Sequence, residues 1–344
     1  MSRYVMRRLL QAIPLLFFVS IILFFLMGQM GDPVATMGGR RVTRPADRER
    51  LTRQLGLDQP FIKQYLYWLI GNDWEEIDLD GDGIADTEGT RRGILRGDFG
   101  TSLMKRGQPV LDVIWDRVPN TLLLMVTAEI VIVVFALLIG IFSALRQYSL
   151  ADHIITAISF IGFSTPIFFF ALISIYIFSV NFKKWGLPSL PAVGMFDPQV
   201  GKTPSQVALH MILPVMTIAF VSIAAYSRYI RSTMLEVMNQ DYIRTARAKG
   251  LRGRQVLFVH ALKNASLPIV TLIGLDLALL LGGALVTERI FAWPGMGRLF
   301  LDHMLRFDVP VVMGILIILS IMVIVFQIIT DLTYALLDPR IRYD

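Results

Sequence analysis

The sequence has 344 residues, of which 54% are hydrophobic and 17% are charged, and its mean hydropathy is +0.59. Soluble domains contain about 45–50% apolar and about 25% charged residues, so these values exclude a disordered chain and argue against a water-soluble globule. The absence of cysteine excludes disulfides and thiol chemistry, and the net charge of +6 fits either nucleic-acid binding or the cytoplasmic loops of a membrane protein.

Six segments are long and apolar enough to cross a bilayer, which takes about 20 residues in a helix. Glu129 and Asp276 are the acidic residues within them, and His210 is the histidine. The six segments are residues 9–30, 119–145, 154–182, 203–227, 264–287 and 309–330. The sequence therefore predicts an all-α integral membrane protein with six transmembrane helices.

Basic residues predict the orientation, because cytoplasmic loops of membrane proteins are enriched in lysine and arginine. Arg3, Arg7 and Arg8 precede the first segment, and eight basic residues lie within the loop at 228–263. Both termini are therefore predicted to be cytoplasmic, with a large extracytoplasmic loop between helices 1 and 2. This topology accounts for most of the positive charge, and because no nucleic-acid recognition motif is present we expect no nucleic-acid partner.

The chain divides into three predicted regions. Residues 1–30 form the cytoplasmic N-terminus and the first transmembrane helix, and residues 31–118 form the extracytoplasmic loop domain. Residues 119–344 form a five-helix membrane core with a cytoplasmic loop at 235–265. Within the loop domain, the apolar spacing from Phe61 to Leu69 predicts an amphipathic helix that lies on the membrane or caps the bundle.

An acidic insert occupies about residues 72–93. Its carboxylates follow the D-x-D-x-D-G spacing of a calcium loop, in which a glycine permits the sharp turn that brings the oxygens together. Gly89 stands at the twelfth place, where an EF-hand has its last carboxylate, and no flanking helix pair is evident. We predict a structural calcium ion, the alternative being a solvated acidic loop. The predicted ligands are Asp78, Asp80, Asp82, the carbonyl of Ile84, Asp86 and Glu88.

The cytoplasmic loop at 235–265 has the pattern of a helix, a sharp turn and a second helix. Ile243, Ala246 and Gly250 recur at helical spacing, and the small residues here permit close approach by another backbone. Val256 then resumes an apolar pattern after the glycine. Two interpretations stand: an interfacial hairpin whose basic side chains meet lipid phosphate, or a docking element for a cytoplasmic partner.

The stretch DYIRTARAKGL at 241–251 resembles the coupling motif, or EAA loop, of binding-protein-dependent ABC importer permeases. The chain as a whole is similar to the first permease of the dipeptide/oligopeptide/nickel group. Arg244 and Thr245 stand where the generic motif has glutamate and its first alanine, and the acidic insert interrupts the family pattern. The further matching stretches are GDPVATM at 31–37, LGLDQPFIKQYLYWL at 55–69, GDFGTSL at 97–103, TERIFAWPGMGRLF at 287–300 and YALLDPRIRY at 334–343.

The resemblance implies a multi-pass permease subunit of the inner (cytoplasmic) membrane, embedded in lipid, that works by alternating access. Its implied partners are a second homologous permease, two cytoplasmic ATPase subunits and an extracytoplasmic substrate-binding protein. ATP is expected to act only through those ATPases, since this chain has no G-x-x-x-x-G-K-[ST] phosphate loop and is not itself predicted to be an enzyme. The implied coupling residues are Asp241, Tyr242, Arg244, Thr245, Ala246, Ala248, Lys249, Gly250 and Leu251.

The implied substrates are di- and oligopeptides, with oligosaccharides or nickel chelates as the alternative for the same machinery. A transporter of a different class, driven by an ion gradient, or a channel is the second hypothesis. Within the membrane, Glu129, Asp276, Ser164 and Thr165 are candidate pathway residues. An intramembrane acid usually faces the bundle interior or water, and the alternative for these residues is a hydrogen bond to a neighbouring helix or to the partner permease.

A turn rich in proline and glycine follows the fifth predicted segment. By resemblance, Trp293, Pro294, Gly295 and Gly297 should lie at an outer gate near the docked binding protein. The alternative is an ordinary interfacial turn in which the tryptophan anchors the chain at the membrane surface.

Overall fold

A computed structural model describes residues 2–29, 45–79, 82, 84–105, 107–280 and 284–337. The predicted motif at 31–37, the predicted ligand Asp80 and the end of the motif at 334–343 lie outside these residues.

The described chain is mostly helical. The first helices are α1 (Ser2–Gly28), α2 (Pro45–Gln54), α3 (Phe61–Ile70), α4 (Val110–Trp115) and α5 (Val118–Leu145). They are followed by α6 (Leu150–Ser164), α7 (Ile167–Ser174), α8 (Phe182–Lys184), α9 (Pro204–Met238), α10 (Asp241–Ala248), α11 (Gly253–Gln255) and α12 (Leu262–Ala265). The last are α13 (Leu267–Leu280), α14 (Leu285–Ile290), α15 (Met296–Met304) and α16 (Val309–Leu337). Two π-helical segments, Ile175–Asn181 and Val256–Ala261, and the short 3₁₀ helix Ile94–Arg96 complete the helical elements.

Five helical segments among the described residues are long and apolar enough to cross a membrane. The predicted fifth span, 264–287, is represented by α13, which has 14 residues and ends just before the undescribed residues 281–283. Six transmembrane helices, and the positions of the termini, therefore stay predictions. The five segments are Tyr4–Gly28, Val110–Leu145, Ile167–Lys184, Pro204–Met238 and Val309–Thr333.

Two prolines of the predicted spans behave differently. Pro166 separates α6 from α7, and Thr165 before it has an extended backbone (φ −84°, ψ 123°). A residue that precedes proline is forced out of the helical region, so the predicted third span is broken there. Pro214, by contrast, lies inside α9, which continues from Pro204 to Met238.

The described chain is mostly helical, as predicted, but the acidic insert contains a short β-hairpin that the prediction did not include. Strands β1 (Glu76–Ile77) and β2 (Thr87–Glu88) form an antiparallel hairpin in which Ile77 pairs with Thr87. The buried side chain of Asn72 closes the hairpin's base, where its Oδ1 accepts a hydrogen bond from the backbone N–H of Arg91 at 3.0 Å. Strands of two residues carry no alternating pattern long enough to recognise in a sequence.

The chain forms two compact units. The core unit is formed by the described residues within 1–8, 119–298 and 322–344, and the loop unit by those within 9–118 and 299–321. In the core unit, α5 packs closely on α9, since a Cβ on Gly140 would lie 2.7 Å from Cγ2 of Ile230. The buried residues of α5 recur every three or four positions, the spacing of one face of an α-helix. Its members are Leu124, Met125, Ala128, Ile132 and Ala136.

In the loop unit, α3 packs on α1 through aromatic rings. The ring of Phe24 lies 5.5 Å from those of both Tyr65 and Trp68, and the Tyr65 hydroxyl hydrogen-bonds to Ser20 Oγ at 2.8 Å. The helix predicted from Phe61 to Leu69 is thus confirmed, and it is held against the first apolar helix.

Candidate functional site

The predicted coupling segment forms a helix and a turn at the end of α9. Helix α10 begins at Asp241, three residues after α9 ends, and the turn at Gly250 has φ +75°. That left-handed conformation favours glycine. Helix α11 and the π-helical segment follow, so the predicted order of helix, turn and helix is confirmed.

One face of α10 is buried and the other is exposed. Ile243 is fully buried and Ala246 is 6% exposed, and both belong to the hydrophobic cluster that contains Ile230 and Met234 of α9. The Tyr242 hydroxyl accepts a hydrogen bond from Asn264 at 3.0 Å, which ties α10 to α12. The remaining predicted coupling residues are exposed, and they are Asp241, Tyr242, Arg244, Thr245, Ala248, Lys249, Gly250 and Leu251.

An ion pair fixes α9 three helical turns before α10. Arg231 donates from Nε to Asp152 Oδ1 at 3.0 Å and from a terminal nitrogen to Oδ2 at 2.8 Å. The Asp152 carboxylate also accepts hydrogen bonds from Ser143 Oγ of α5 and from the backbone N–H of Tyr148. This one side chain, 3% exposed, therefore joins α5, α6 and α9.

The sequence interpretation placed Arg231 in a cytoplasmic loop beginning at residue 228. In the structure Arg231 is helical, because α9 continues to Met238. The signal that was missed is Asp152, an acid in the first turn of α6.

The two acids of the predicted spans lie on either side of one tyrosine. The Tyr226 hydroxyl of α9 donates a hydrogen bond to Asp276 Oδ2 of α13 at 2.8 Å. The tyrosine oxygen also lies 3.5 Å from Glu129 Oε1 of α5. Glu129 is 5% exposed and Tyr226 is 4% exposed. We call this group the carboxylate pair. The sequence placed both acids within the spans but gave no sign of the tyrosine between them.

The other two pathway candidates do not join the carboxylate pair among the described residues. Thr165 donates its hydroxyl to the carbonyl of Ile161, one turn back in α6, at 2.6 Å. Ser164 is exposed at the break between α6 and α7.

The predicted outer turn is built around a buried glutamate. Glu288 is fully buried, and its carboxylate accepts hydrogen bonds from Thr121 Oγ1 and from the backbone N–H of Arg298, both at 3.0 Å. Burial raises the pKa of Glu288 from its ordinary value, and these hydrogen bonds offset part of that rise. Gly295 lies against this carboxyl group, since a Cβ there would lie 2.4 Å from Oε1 and 2.5 Å from Oε2.

The ring of Trp293 is not exposed, although an interfacial anchor would be expected to present its ring to the membrane. It is fully buried, and its Nε1–H donates to the carbonyl of Asn120 at 3.0 Å. Asn120 in turn donates its side-chain amide to the carbonyl of Pro294 at 3.0 Å. The turn is thus bonded to the start of α5, and its assignment as an outer gate stays a prediction.

In the loop unit, the GDFGTSL stretch is held by a buried aspartate. Asp308, fully buried, accepts from Ser102 Oγ at 2.6 Å and from the backbone N–H of Leu103 at 3.1 Å. His303 Nδ1 lies 2.8 Å from the same carboxylate. Burial alone would raise the pKa of Asp308, but the hydrogen bonds from His303, Ser102 and the backbone outweigh it and lower the pKa.

The acidic insert is described except at Asp80, Gly81 and Gly83. Asp86 Oδ2 accepts from the backbone N–H of Leu79 and Asp82 Oδ1 from that of Ile84, both at 2.8 Å, while Glu88 lies in β2 opposite Glu76. Over the ranges the structure describes, no three acidic or histidine side chains form a group suited to a metal. Because Asp80 is outside them, the calcium site stays a prediction.

Family models match nearly the whole chain. Residues 136–343 match "Binding-protein-dependent transport system inner membrane component", and residues 1–125 match the N-terminal model of such membrane components. The matches define an inner-membrane component of a transport system, and the resemblance inferred from the motifs is confirmed. The chain belongs to the family of binding-protein-dependent transport system inner membrane components.

Relatives of full length are permeases. The oligopeptide transport system permease protein AppB of Bacillus subtilis is 40% identical over 348 residues, with all of both chains covered. The dipeptide transport system permease protein DppB of Escherichia coli K12 is 36% identical over 364 residues, covering 100% of this chain and 99% of the relative. A structure of the inward-facing MetNI methionine ABC transporter shares the fold, with a TM-score of 0.53 at 16% identity, over 66% of this chain and 97% of that chain.

Proposed function

We propose that this chain is a permease subunit of an ATP-driven importer of di- and oligopeptides. The observation that carries the proposal is the full-length match to permeases named for oligopeptide and dipeptide transport, at 40% and 36% identity. Oligosaccharides and nickel chelates remain the alternative cargo, and an ion-coupled transporter is the alternative mechanism. ATP acts on the chain only through partner subunits.

The exposed face of α10 is the proposed docking surface for a cytoplasmic ATPase. Its buried face, Ile243 and Ala246, fixes the helix to the core unit, so the opposite face is free for another protein. That face combines the apolar groups of Tyr242, Ala248 and Leu251 with basic side chains. A partner that binds this face and moves α10 also moves the end of α9, because only Asn239 and Gln240 separate the two helices.

Hydrogen bonds connect the end of α9, next to α10, to the other helices of the membrane core. Arg231 is bonded to Asp152, whose other hydrogen bonds reach α5 and the start of α6. Displacing α9 therefore displaces the cytoplasmic ends of all three helices together. We propose that closure of two ATPases around ATP drives this movement and switches the permease, paired with a second homologous permease, between inward- and outward-open states. An extracytoplasmic binding protein delivers the substrate.

The proposal is tested by ATP-driven uptake of a labelled dipeptide into proteoliposomes that contain the assembled importer and its loaded binding protein. Ala248→Trp adds bulk to the exposed face of α10 and leaves Gly250, the glycine in the left-handed conformation, unchanged. We expect it to abolish uptake. Leu150→Trp is the matched control, because Leu150 is 76% exposed at the start of α6 on the predicted cytoplasmic side. Undiminished uptake by the Ala248→Trp importer, or uptake that persists without ATP, would contradict the proposal.

A further inference from the structure

The carboxylate pair has more hydrogen-bond acceptors than donors. Glu129 and Asp276 together present four carboxylate oxygens, and the Tyr226 hydroxyl is the donor between them. A hydroxyl carries one hydrogen to donate. The Tyr226 hydroxyl donates it to Asp276 Oδ2 at 2.8 Å, whereas Glu129 Oε1 lies 3.5 Å from the tyrosine oxygen. Within the described residues, Glu129 Oε2 is buried and has no hydrogen-bond partner.

A buried acceptor without a donor is unfavourable, and two ionised carboxylates close to one hydroxyl repel each other when no cation lies between them. Glu129 is buried and Asp276 is half-buried. Neither acid forms an ion pair with a lysine, arginine or histidine of the described chain. Packing alone does not explain this arrangement, because replacing either acid by an apolar side chain would remove the unfavourable terms. The group is therefore suited to a positively charged ligand that supplies several N–H or O–H donors.

The chemistry of the group favours an ammonium ion over a metal ion. An ammonium group carries three N–H donors, which match the two oxygens of Glu129 and the tyrosine oxygen. Calcium takes six to eight oxygen ligands, and over the described chain no three acidic or histidine side chains come together to hold a metal. A peptide has one such ammonium group at its amino terminus, whatever its sequence.

We infer that Glu129, Tyr226 and Asp276 form an intramembrane binding site for the amino-terminal ammonium group of a peptide in transit. This inference rests on the proposed function, since it assigns a contact to that substrate. Tyr226 lies on α9, the helix that continues into α10, whereas the acids lie on α5 and α13. Movement of α9 during the ATPase cycle would therefore change the distances from the tyrosine to both acids and release the ammonium group.

The experiment compares two forms of one dipeptide, with a free and with an acetylated amino terminus. Both are supplied at concentrations measured to saturate the binding protein, so that the permease sets the rate of uptake into proteoliposomes of the full importer. The wild type should carry the free form about tenfold faster, the effect expected of a charge-assisted hydrogen bond. Glu129→Gln, which keeps the shape and removes the charge, should abolish the preference chiefly by slowing uptake of the free form.

Thr127→Val is the matched control, because Thr127 is half-buried on the same helix and, among the described residues, its hydroxyl donates to the carbonyl of Leu123 rather than to either acid. It should retain the preference. If Glu129→Gln does not assemble with its partners, Tyr226→Phe removes the bridging hydroxyl and should also lower the preference.

Three results would overturn the inference. They are equal uptake of both forms by the wild type, an equal fall for both forms in Glu129→Gln, and a wild-type preference that Glu129→Gln leaves unchanged. Failure of the proposed function would look different, because ATP would then drive uptake of neither form in the wild type.

Discussion

Asp152 and Arg231 form a two-point ion pair across 79 residues of sequence, with N···O distances of 3.0 and 2.8 Å. The aspartate side chain is 3% exposed, whereas that of arginine is 28% exposed. Since Asp152 also bonds to Ser143 of α5, the pair joins three helices at one point. The helix that carries Arg231 leads directly into the proposed ATPase docking surface.

Breaking this pair should destabilise the core unit. Asp152→Ala leaves the Arg231 guanidinium without its carboxylate, and removing one partner of a buried pair costs about 3–5 kcal/mol. The melting temperature of the detergent-solubilised protein measures the effect. Arg244→Ala is the control, because its pair with Asp241 is exposed and such pairs contribute about 0–1 kcal/mol. Equal melting temperatures for the two variants would contradict a structural role for the Asp152–Arg231 pair.

The outer turn should not tolerate a methyl group at Gly295. In Gly295→Ala the new Cβ would lie 2.4 Å from the Glu288 carboxyl, and overpacking of this kind costs about 1–3 kcal/mol. Thermal unfolding would show the loss. Gly253→Ala, where a Cβ meets nothing within 4 Å, should unfold at the wild-type temperature or slightly above it. A Gly295→Ala protein as stable as the wild type would show that the turn relaxes around Glu288.

Asp308 should make the loop unit sensitive to acid. Its hydrogen bonds lower its pKa in the folded protein, so its stabilising contribution is present above the unfolded pKa of about 3.9 and is lost as the pH falls through the folded value. The wild type should therefore be more stable than Asp308→Asn by the largest margin near pH 6, and this difference in stability should shrink below about pH 4. Thermal unfolding at each pH measures it, with Glu49→Gln, an exposed carboxyl on α2, as the control. A difference that does not change with pH would contradict this assignment.

The acidic insert is predicted to bind one calcium ion. Titration calorimetry on the full-length protein should show heat of calcium binding for the wild type and none for Asp80→Ala, which removes one of the alternating carboxylates. Equal heats from the two proteins would leave only the solvated acidic loop, stabilised by hydrogen bonds such as that from Leu79 N–H to Asp86.

Helices whose buried face and ends depend on residues close together in the chain were predictable from the sequence. The spacing of Ile243 and Ala246 predicted α10, and Gly250 predicted where it ends, because the buried face and the left-handed turn both depend on residues close in the chain. Pro166 shows the limit of that reasoning. It lies in a continuous apolar run, yet it breaks the helix, because the restriction it places on Thr165 overrides hydrophobicity.

The polar clusters were not predictable in the same way. Thr121 and Glu288 are 167 residues apart, and Ser102 and Asp308 are 206 residues apart. A hydrogen bond between distant residues leaves no periodic signal, and a buried glutamate looks in sequence like any exposed one. Trp293 illustrates the same difficulty, since its position after an apolar segment suggested the membrane interface although its ring is buried.

Site-specific crosslinking tests most directly whether a separate ATPase drives this chain through α10. The chain has no cysteine, so Ala248→Cys introduces a single thiol on the exposed face of α10. In membranes that contain the whole importer, a short thiol crosslinker should join this residue to a subunit that carries a phosphate-loop motif, whereas Leu150→Cys should give little of that product. Crosslinking of Ala248→Cys to lipid or to no protein at all, in an importer that still takes up peptide with ATP, would contradict the proposed coupling.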